Sequence, residues 1–329
     1  MRALITGITG FVGSHLAEYL LNETDWEIYG LYRYDDPLDN IPFHDEITLI
    51  EGDLTDYPSV ENAIARSLPD YVFHLAAQSY VQASFAYPEK TYRTNVIGTE
   101  NLLRAIKDCH YLDKKPLIHN CSSSEVYGRV PGSYGPIDEN CPFLPASPYS
   151  ISKCAQDLIG RFYFEAYGLK VITTRMFTHT GPRRGDVFFE SSFAKQVAMC
   201  EVGLIDTIKV GNLESTRTIA DVRDAVRAYH LLLTKNPIPG EVYNIGGNYT
   251  CKVKKVLEYL NWPRDGAGEY PVESDPTRMR PLDADFQIPN CDKFKKHTGW
   301  VPVYKFGQTM DDLLEYWRKR IKHHVVIQR

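Results

Sequence analysis

Short apolar runs alternate with longer amphipathic stretches through the first half of the chain. The runs at 3–6, 27–32, 48–51, 71–75, 117–120 and 171–177 are brief and rich in β-branched or aromatic residues, and they read as strands. Between them, 14–22 carries Leu16, Tyr19 and Leu20 on one helical face, and 149–167 is a long helical stretch. Apolar strands separated by helices predict an α/β fold, a doubly wound parallel sheet covered on both faces. Beyond about Gly181 the segments shorten and gain proline and glycine, among them Pro182, Gly185, Gly203, Gly211, Pro263, Gly266 and Gly268. This predicts a smaller, loop-rich C-terminal lobe. The run at 242–245 reads as a strand returning to the first sheet. The expected division is 1–180 with 213–247 returning to it, against a lobe made of 181–212 and 248–329.

The length of 329 residues suits two lobes better than one small core. The net charge of −5 argues against nucleic-acid binding, which needs a basic face to replace counterions. Basic residues cluster at Arg183-Arg184 and at Arg318-Lys319-Arg320, the latter a solvated helix end. Seven cysteines stand singly, without a C-x-x-C pair or a zinc-like His/Cys spacing, so no metal site is expected. The odd count fits a reducing, cytoplasmic setting. No signal peptide or membrane span is read: the first apolar run is broken by Gly7, Gly10, Gly13, His15 and Glu18.

Residues 6–13, TGITGFVG, place Gly7, Gly10 and Gly13 between the first strand and the first helix. In that context the glycines allow a tight turn and close approach of a pyrophosphate. The helix opening at Phe11 and Val12 aims its free N–H groups at the phosphates. At the end of the second strand an acid would favour NAD and an arginine the 2′-phosphate of NADP. Arg33 stands there, so NADP is expected over NAD, while Asp35 and Asp36, slightly later, weigh the other way. Asp53 and Leu54 after the third strand are candidates to hold the adenine. Leu75, Ala76 and Ala77 end the fourth strand with small residues that let a cofactor cross the sheet edge.

Tyr149 and Lys153 form a Y-x-x-x-K at the start of a helical stretch, one turn apart on the same face. Among 22 tyrosines such a pair arises by chance, and Tyr111 and Lys115 form another. Context separates them: Tyr149 follows the strand-end serines of SSSEVYG (122–128). There Lys153 would draw the Tyr149 phenol down towards neutrality, and Ser123 would hydrogen-bond the oxygen on which Tyr149 acts. Glu125, two residues on, is either a solvated loop acid or a second acid/base sharing a face with Ser123 in an extended segment.

These features together resemble the extended short-chain dehydrogenase/reductase superfamily, over nearly the whole chain. More narrowly the chain resembles the GDP-mannose 4,6-dehydratase family. The resemblance is carried by ALITGITGFVGSHLAEYLL (3–21), HLAAQSYVQASFAYPEKT (74–91), SSSEVYG, SPYSISK (147–153) and GPRRG (181–185), with weaker support from DPTRMRP (275–281) and TGWVP (298–302). Three features depart from it. Ser123 stands where that family usually has threonine, and Thr178 where many members have asparagine. SFAKQV (192–197) and the stretch 209–229 look closer to the sister family, GDP-4-keto-6-deoxymannose reductase.

The resemblance implies a Rossmann-like cofactor domain and a C-terminal substrate lobe. It implies 4,6-dehydration of GDP-mannose, or of a close GDP-manno-sugar, with catalytic residues Ser123, Glu125, Tyr149 and Lys153. Tyr149 would act at the C4 oxygen, and Glu125 would remove the C5 proton before water leaves from C6. Arg183, Arg217 and Arg280 would grip the diphosphate, with Lys195, Ser79 and Thr178 as further substrate contacts. A homodimer paired through the Y-x-x-x-K helix, or a homotetramer, is also implied. The alternatives are a C4 reductase or epimerase on a GDP-4-keto-6-deoxy sugar, and a cofactor-sensing protein without catalysis.

Overall fold

Arg2–Thr6 (β1) runs straight into the glycine turn. Glu27–Tyr32 (β2), Thr48–Glu51 (β3), Tyr71–His74 (β4), Leu117–Cys121 (β5) and Lys170–Met176 (β6) follow, with helices between them. The computed structural model describes residues 1–112, 114–263 and 268–327, so Gly266 and the last two residues of the expected lobe lie outside the described residues. Beyond β6 come His179–Thr180 (β7), Ile208–Val210 (β8), Thr216–Asp221 (β9), Val242–Ile245 (β10), Tyr249–Lys252 (β11), Val272–Ser274 (β12) and Phe286–Gln287 (β13).

Seven strands form one sheet in the order β10-β6-β5-β4-β1-β2-β3, every pairing parallel. Alternate residues feed opposite cores, as the two-residue strand period requires. Ala3, Ile5, Phe73 and Ile172 pack with Leu16 and Leu20 of the Phe11–Glu23 helix and with Tyr229 and Leu232 of the Val222–Thr234 helix. Leu4, Val72, Ile118 and Val171 face the other way, onto Val60, Ile64, Leu102, Ile106 and Tyr163. This is the doubly wound α/β architecture read from the sequence. The chain leaves β1 for β2 on one side and returns to β4 on the other, which opens a crevice at the carboxyl ends of β1 and β4.

A second core joins the Phe189–Glu201, Val253–Leu260 and Phe306–Ile327 helices through Phe193, Val197, Ile219, Leu257, Leu313 and Trp317. Two segments depart from the expected division. Within 213–247, β10 pairs with β6, but β9 pairs with β11, β13 and β7 outside the main sheet. Within 248–329, Phe294 and Trp300 join the core of the first sheet, and the Trp300 indole donates to Asp224 O at 3.2 Å. Short apolar segments of either lobe look alike in sequence, because only their three-dimensional partners decide which core they complete.

Candidate active site

The turn after β1 is built by contacts that exclude a side chain. Gly7 has φ +72°, and a Cβ there would lie 2.8 Å from Ala76 Cα. A Cβ on Gly13 would lie 2.2 Å from Gly7 O. Gly10 caps the Phe11–Glu23 helix without a side-chain bond, and the first turn has no acid, so its N–H groups are left for an anion. This cradle, Phe11, Val12, Asp53, Leu54 and Leu75–Ser79 all line one cavity of about 940 Å³. Asn95, in a π-helical turn at Arg93–Ile97, accepts from Gln78 N at 2.8 Å and donates to Ser152 Oγ at 2.9 Å. It thereby fixes the segment beyond β4 to the Y-x-x-x-K helix.

Arg33 also lines the cavity, but its guanidinium already holds Asp36, with Nη2 at 2.6 Å and Nε at 3.2 Å from Oδ1. Thr9 Oγ1 donates to the other Asp36 oxygen at 3.3 Å. Burial pushes the Asp36 carboxyl up, but the hydrogen bonds from Arg33 outweigh it and hold the group below its ordinary value. Both signs of charge therefore stand at the ribose end of the cradle.

At the other end, Ser147 and Ser150 cap the Pro148–Tyr167 helix reciprocally, and Tyr149 N donates to Ser84 Oγ at 3.1 Å. Ser123, Glu125, Tyr149 and Lys153 all reach the cavity. The serine stretch is not extended, as the sequence suggested, but turns into a 3₁₀ segment at Ser124–Val126. Ser123 caps that turn, its Oγ accepting from Glu125 N at 3.2 Å. Tyr127 anchors the turn from below, donating to Asn244 Oδ1 at 2.7 Å and accepting from Arg175 at 2.9 Å.

Burial pushes the Tyr149 phenol up; the Ser123 hydrogen bond and the Arg184 charge pull against it. The expectation that Lys153 brings the phenol down towards neutrality is therefore not met in this arrangement. The Lys153 ammonium is turned instead to Cys121 O and Gln156 Oε1, both at 2.8 Å, which leaves one of its three donors for a ligand. Burial lowers Lys153 from its usual value to about 8. A lowered lysine is charged below that value and loses its charge as pH rises through it. Affinity for a dinucleotide that takes this donor is therefore expected to fall by about tenfold between pH 7 and pH 10, the loss of roughly one charge-assisted hydrogen bond. Fluorescence titration with each reduced nicotinamide dinucleotide in turn would check this, and Lys153→Met should bind weakly at every pH. The other Y-x-x-x-K is structural: Lys115 Nζ donates to the carbonyls of Ile106, Lys107 and Cys109.

The expected substrate residues divide. Ser79, Thr178, Arg217 and Arg280 line the cavity. Arg217 and Arg280 converge on Asp283 Oδ1 at 3.4 and 3.2 Å, and Arg280 lies 3.9 Å from Glu125 Oε1. Arg183 does not line it. Its backbone is left-handed, with φ +70°, and its guanidinium pairs with Glu18 at 2.8 Å on the first helix. The turn sends Arg184 inward instead, over the Phe188 ring at 3.5 Å. Lys195 pairs with Asp186 at 2.6 Å and lines a neighbouring hollow. Sequence reasoning named Asp36 but missed Arg278 and the fully buried Glu190, both also on the cavity wall. Arg278, two positions before Arg280, was the more visible of the two. Among the described residues no cluster of His, Cys, Asp or Glu is arranged to hold a metal.

The glycine cradle, the helix N-terminus and the remaining Lys153 donor fit a nicotinamide dinucleotide. Known proteins agree. The family model described as GDP-mannose 4,6 dehydratase matches residues 4–313. A GDP-mannose 4,6-dehydratase of Vibrio cholerae is 30% identical, covering 99% of this chain and 96% of its own. A GDP-6-deoxy-D-mannose reductase of Pseudomonas aeruginosa is 32% identical over 98% of both chains. The solved structure of RMD from Pseudomonas aeruginosa complexed with NADPH superposes with a TM-score of 0.81 at 29% identity, covering 97% of this chain and all (100%) of that one. Taken with the sheet order and the Ser123–Tyr149–Lys153 end of the cavity, these matches mean that the chain is a nicotinamide-dependent enzyme of the extended short-chain dehydrogenase/reductase type and belongs to the GDP-mannose 4,6-dehydratase family.

Proposed function

We propose that the protein dehydrates GDP-mannose, or a close GDP-manno-sugar, to the 4-keto-6-deoxy sugar. A nicotinamide held by the glycine cradle and Lys153 would supply the hydride acceptor for C4 and the hydride for C6. Tyr149 takes the proton of the C4 hydroxyl, with Ser123 bonded to the same oxygen. The C4 ketone acidifies the C5 proton. Glu125 removes that proton and delivers it to the C6 hydroxyl, which leaves as water. Arg217 and Arg280 take the diphosphate, and Arg184 adds positive charge beside Tyr149. The observation that carries this reading is Glu125 on the cavity wall with Ser123 and Tyr149: C4 oxidation alone needs no second acid/base. Incubation with GDP-mannose and catalytic NADP, followed by mass spectrometry, should give a product lighter by one water. Unchanged substrate would remove this reading.

The second reading is a C4 reductase or epimerase on a GDP-4-keto-6-deoxy sugar. It is favoured by Ser123, by the 192–197 segment and by the 32% identity to a reductase. Such an enzyme would use Glu125 only to position the sugar, and a reductase would consume NADPH stoichiometrically.

NADP is the proposed cofactor, with Arg33 swinging from Asp36 to the 2′-phosphate. Arg33→Ala should weaken NADP binding by about tenfold and leave NAD binding nearly unchanged, because only the guanidinium–phosphate bond is lost. Equal loss for both cofactors would overturn the assignment.

The proposed division keeps a cofactor domain of 1–180 with the 222–247 segment, facing a lobe built on the second core. A homodimer in the cytoplasm completes the reading. The described residues contain no helix long and apolar enough to cross a membrane, and the cysteines are free. The Pro148–Tyr167 helix exposes Ile151, Leu158 and Phe162 at spacings of two turns and one turn, a stripe suited to a second copy. Sedimentation should give a dimer for the natural chain and a monomer for Leu158→Glu/Phe162→Glu. A monomeric natural chain would exclude this pairing.

A further inference from the structure

The helix that carries Tyr149 and Lys153 also carries Asp157, one turn beyond Lys153 on the same face and fully buried. Its partner is Arg175 of β6, also buried. The guanidinium forks onto the carboxylate, with Nε 2.8 Å from Oδ2 and Nη2 3.3 Å from Oδ1. Its third nitrogen, Nη1, donates to the Tyr127 hydroxyl and to Glu139 O, both at 2.9 Å. The Tyr127 hydroxyl donates onward to Asn244 Oδ1 of β10 at 2.7 Å. Burial pushes the Tyr127 phenol up, so it keeps the proton that it donates. One buried node thus joins the Y-x-x-x-K helix, two strands of the main sheet and the turn that carries Glu125. Neither Arg175 nor Tyr127 lines the cavity.

A buried ion pair adds little net stability over apolar side chains of similar size. What this one fixes is a distance. Tyr127 N donates to Ser124 O at 3.0 Å and closes the Ser124–Val126 turn, so the position of Tyr127 sets the aim of Glu125. Asp157, at the other end, is joined to Tyr149 by about two turns of continuous helix. Tyr149 has holds of its own in Ser84 and the Ser147–Ser150 cap. Loosening the node therefore shifts Glu125 and leaves Tyr149 in place. We propose that Arg175 and Tyr127 are positioning residues that set the spacing between the two acid/bases, and so govern C5 deprotonation and water loss without touching the substrate. The proposal rests on the reading of Glu125 as the C5 base.

Tyr127→Phe removes one hydroxyl from the node and keeps the ring, and Arg175→Lys keeps a charge opposite Asp157 but not the fork. GDP-mannose is mixed with the NADP-loaded protein in a single turnover. Near-ultraviolet absorbance follows oxidation at C4, and quenched mass spectrometry follows water loss. In Tyr127→Phe, oxidation should stay within about threefold of the natural chain while water loss falls about tenfold or more, since a misplaced catalytic group costs up to about 10²-fold. Reduced nicotinamide should then accumulate, and Arg175→Lys should show the same imbalance. Adding Tyr127→Phe to Glu125→Gln should leave the residual oxidation unchanged within about twofold, because a residue that acts through Glu125 has nothing left to position. An equal fall in both steps, no change in either, or loss of folding in both variants would overturn the proposal. Water loss that survives in Glu125→Gln removes the base reading and the proposal with it. Water loss abolished in Glu125→Gln but normal in Tyr127→Phe removes the positioning role alone.

Discussion

Tyr149→Phe is expected to lower kcat by about 10²–10⁴-fold, the usual worth of a positioned acid/base, while substrate and cofactor bind within a few-fold of normal. The reason is local. Tyr149 is buried, its backbone is tied to Ser84 and to the Ser147–Ser150 cap, and the change deletes only the hydroxyl. The ring keeps its packing, so neither the fold nor the cavity wall moves. What is lost is the group that Ser123 and Arg184 make more acidic against the effect of burial. Turnover by mass spectrometry and binding by calorimetry separate these effects. A variant that keeps a tenth of normal kcat would remove Tyr149 as the group acting on the C4 oxygen.

Glu125→Gln is expected to abolish water loss by a comparable factor yet leave slow oxidation at C4. The side chains match in size, and the turn survives because it is held by the backbone bond to Ser123 Oγ and by Tyr127 beneath. The amide cannot take the C5 proton, so the cycle stops after its first half. Reduced nicotinamide should accumulate to about one equivalent per site and be visible by near-ultraviolet absorbance. Dehydration within tenfold of normal would show that Glu125 is not the base, and the reductase reading would gain. Arg280 lies 3.9 Å from Glu125, so the substitution also removes a carboxylate neighbour of that arginine.

The glycine turn and the placing of Tyr149 and Lys153 one turn apart on a helix were legible in the sequence because both are local. Glycine spacing and one helical turn are properties of neighbouring residues, and the strand–turn–helix context lies within the same stretch. The arginines were not legible in that way. Arg183 and Arg184 differ only in which side of a left-handed corner they leave, and Glu18, which holds Arg183, is on a helix 165 residues earlier in the chain. Lys195 was a plausible phosphate ligand by type, but Asp186 claims it. Glu190 reads as an ordinary acid in the first turn of a helix, since nothing around it in sequence announces burial. The division of the chain was blurred for the same reason: β9 and Trp300 belong to whichever sheet packing offers them.

The bond between Ser123 Oγ and Glu125 N changes how a Ser123 variant must be interpreted. One lone pair of that hydroxyl is committed to the backbone of the turn, so the same oxygen serves as both a structural latch and a contact near the reacting carbon. Ser123→Ala would therefore disturb the aim of Glu125 as well as remove a hydroxyl, and its rate loss is a compound quantity. Threonine, with the same oxygen on a bulkier stem, can close the latch, which makes Ser123→Thr the cleaner substitution for weighing the hydroxyl's environment apart from the turn it secures.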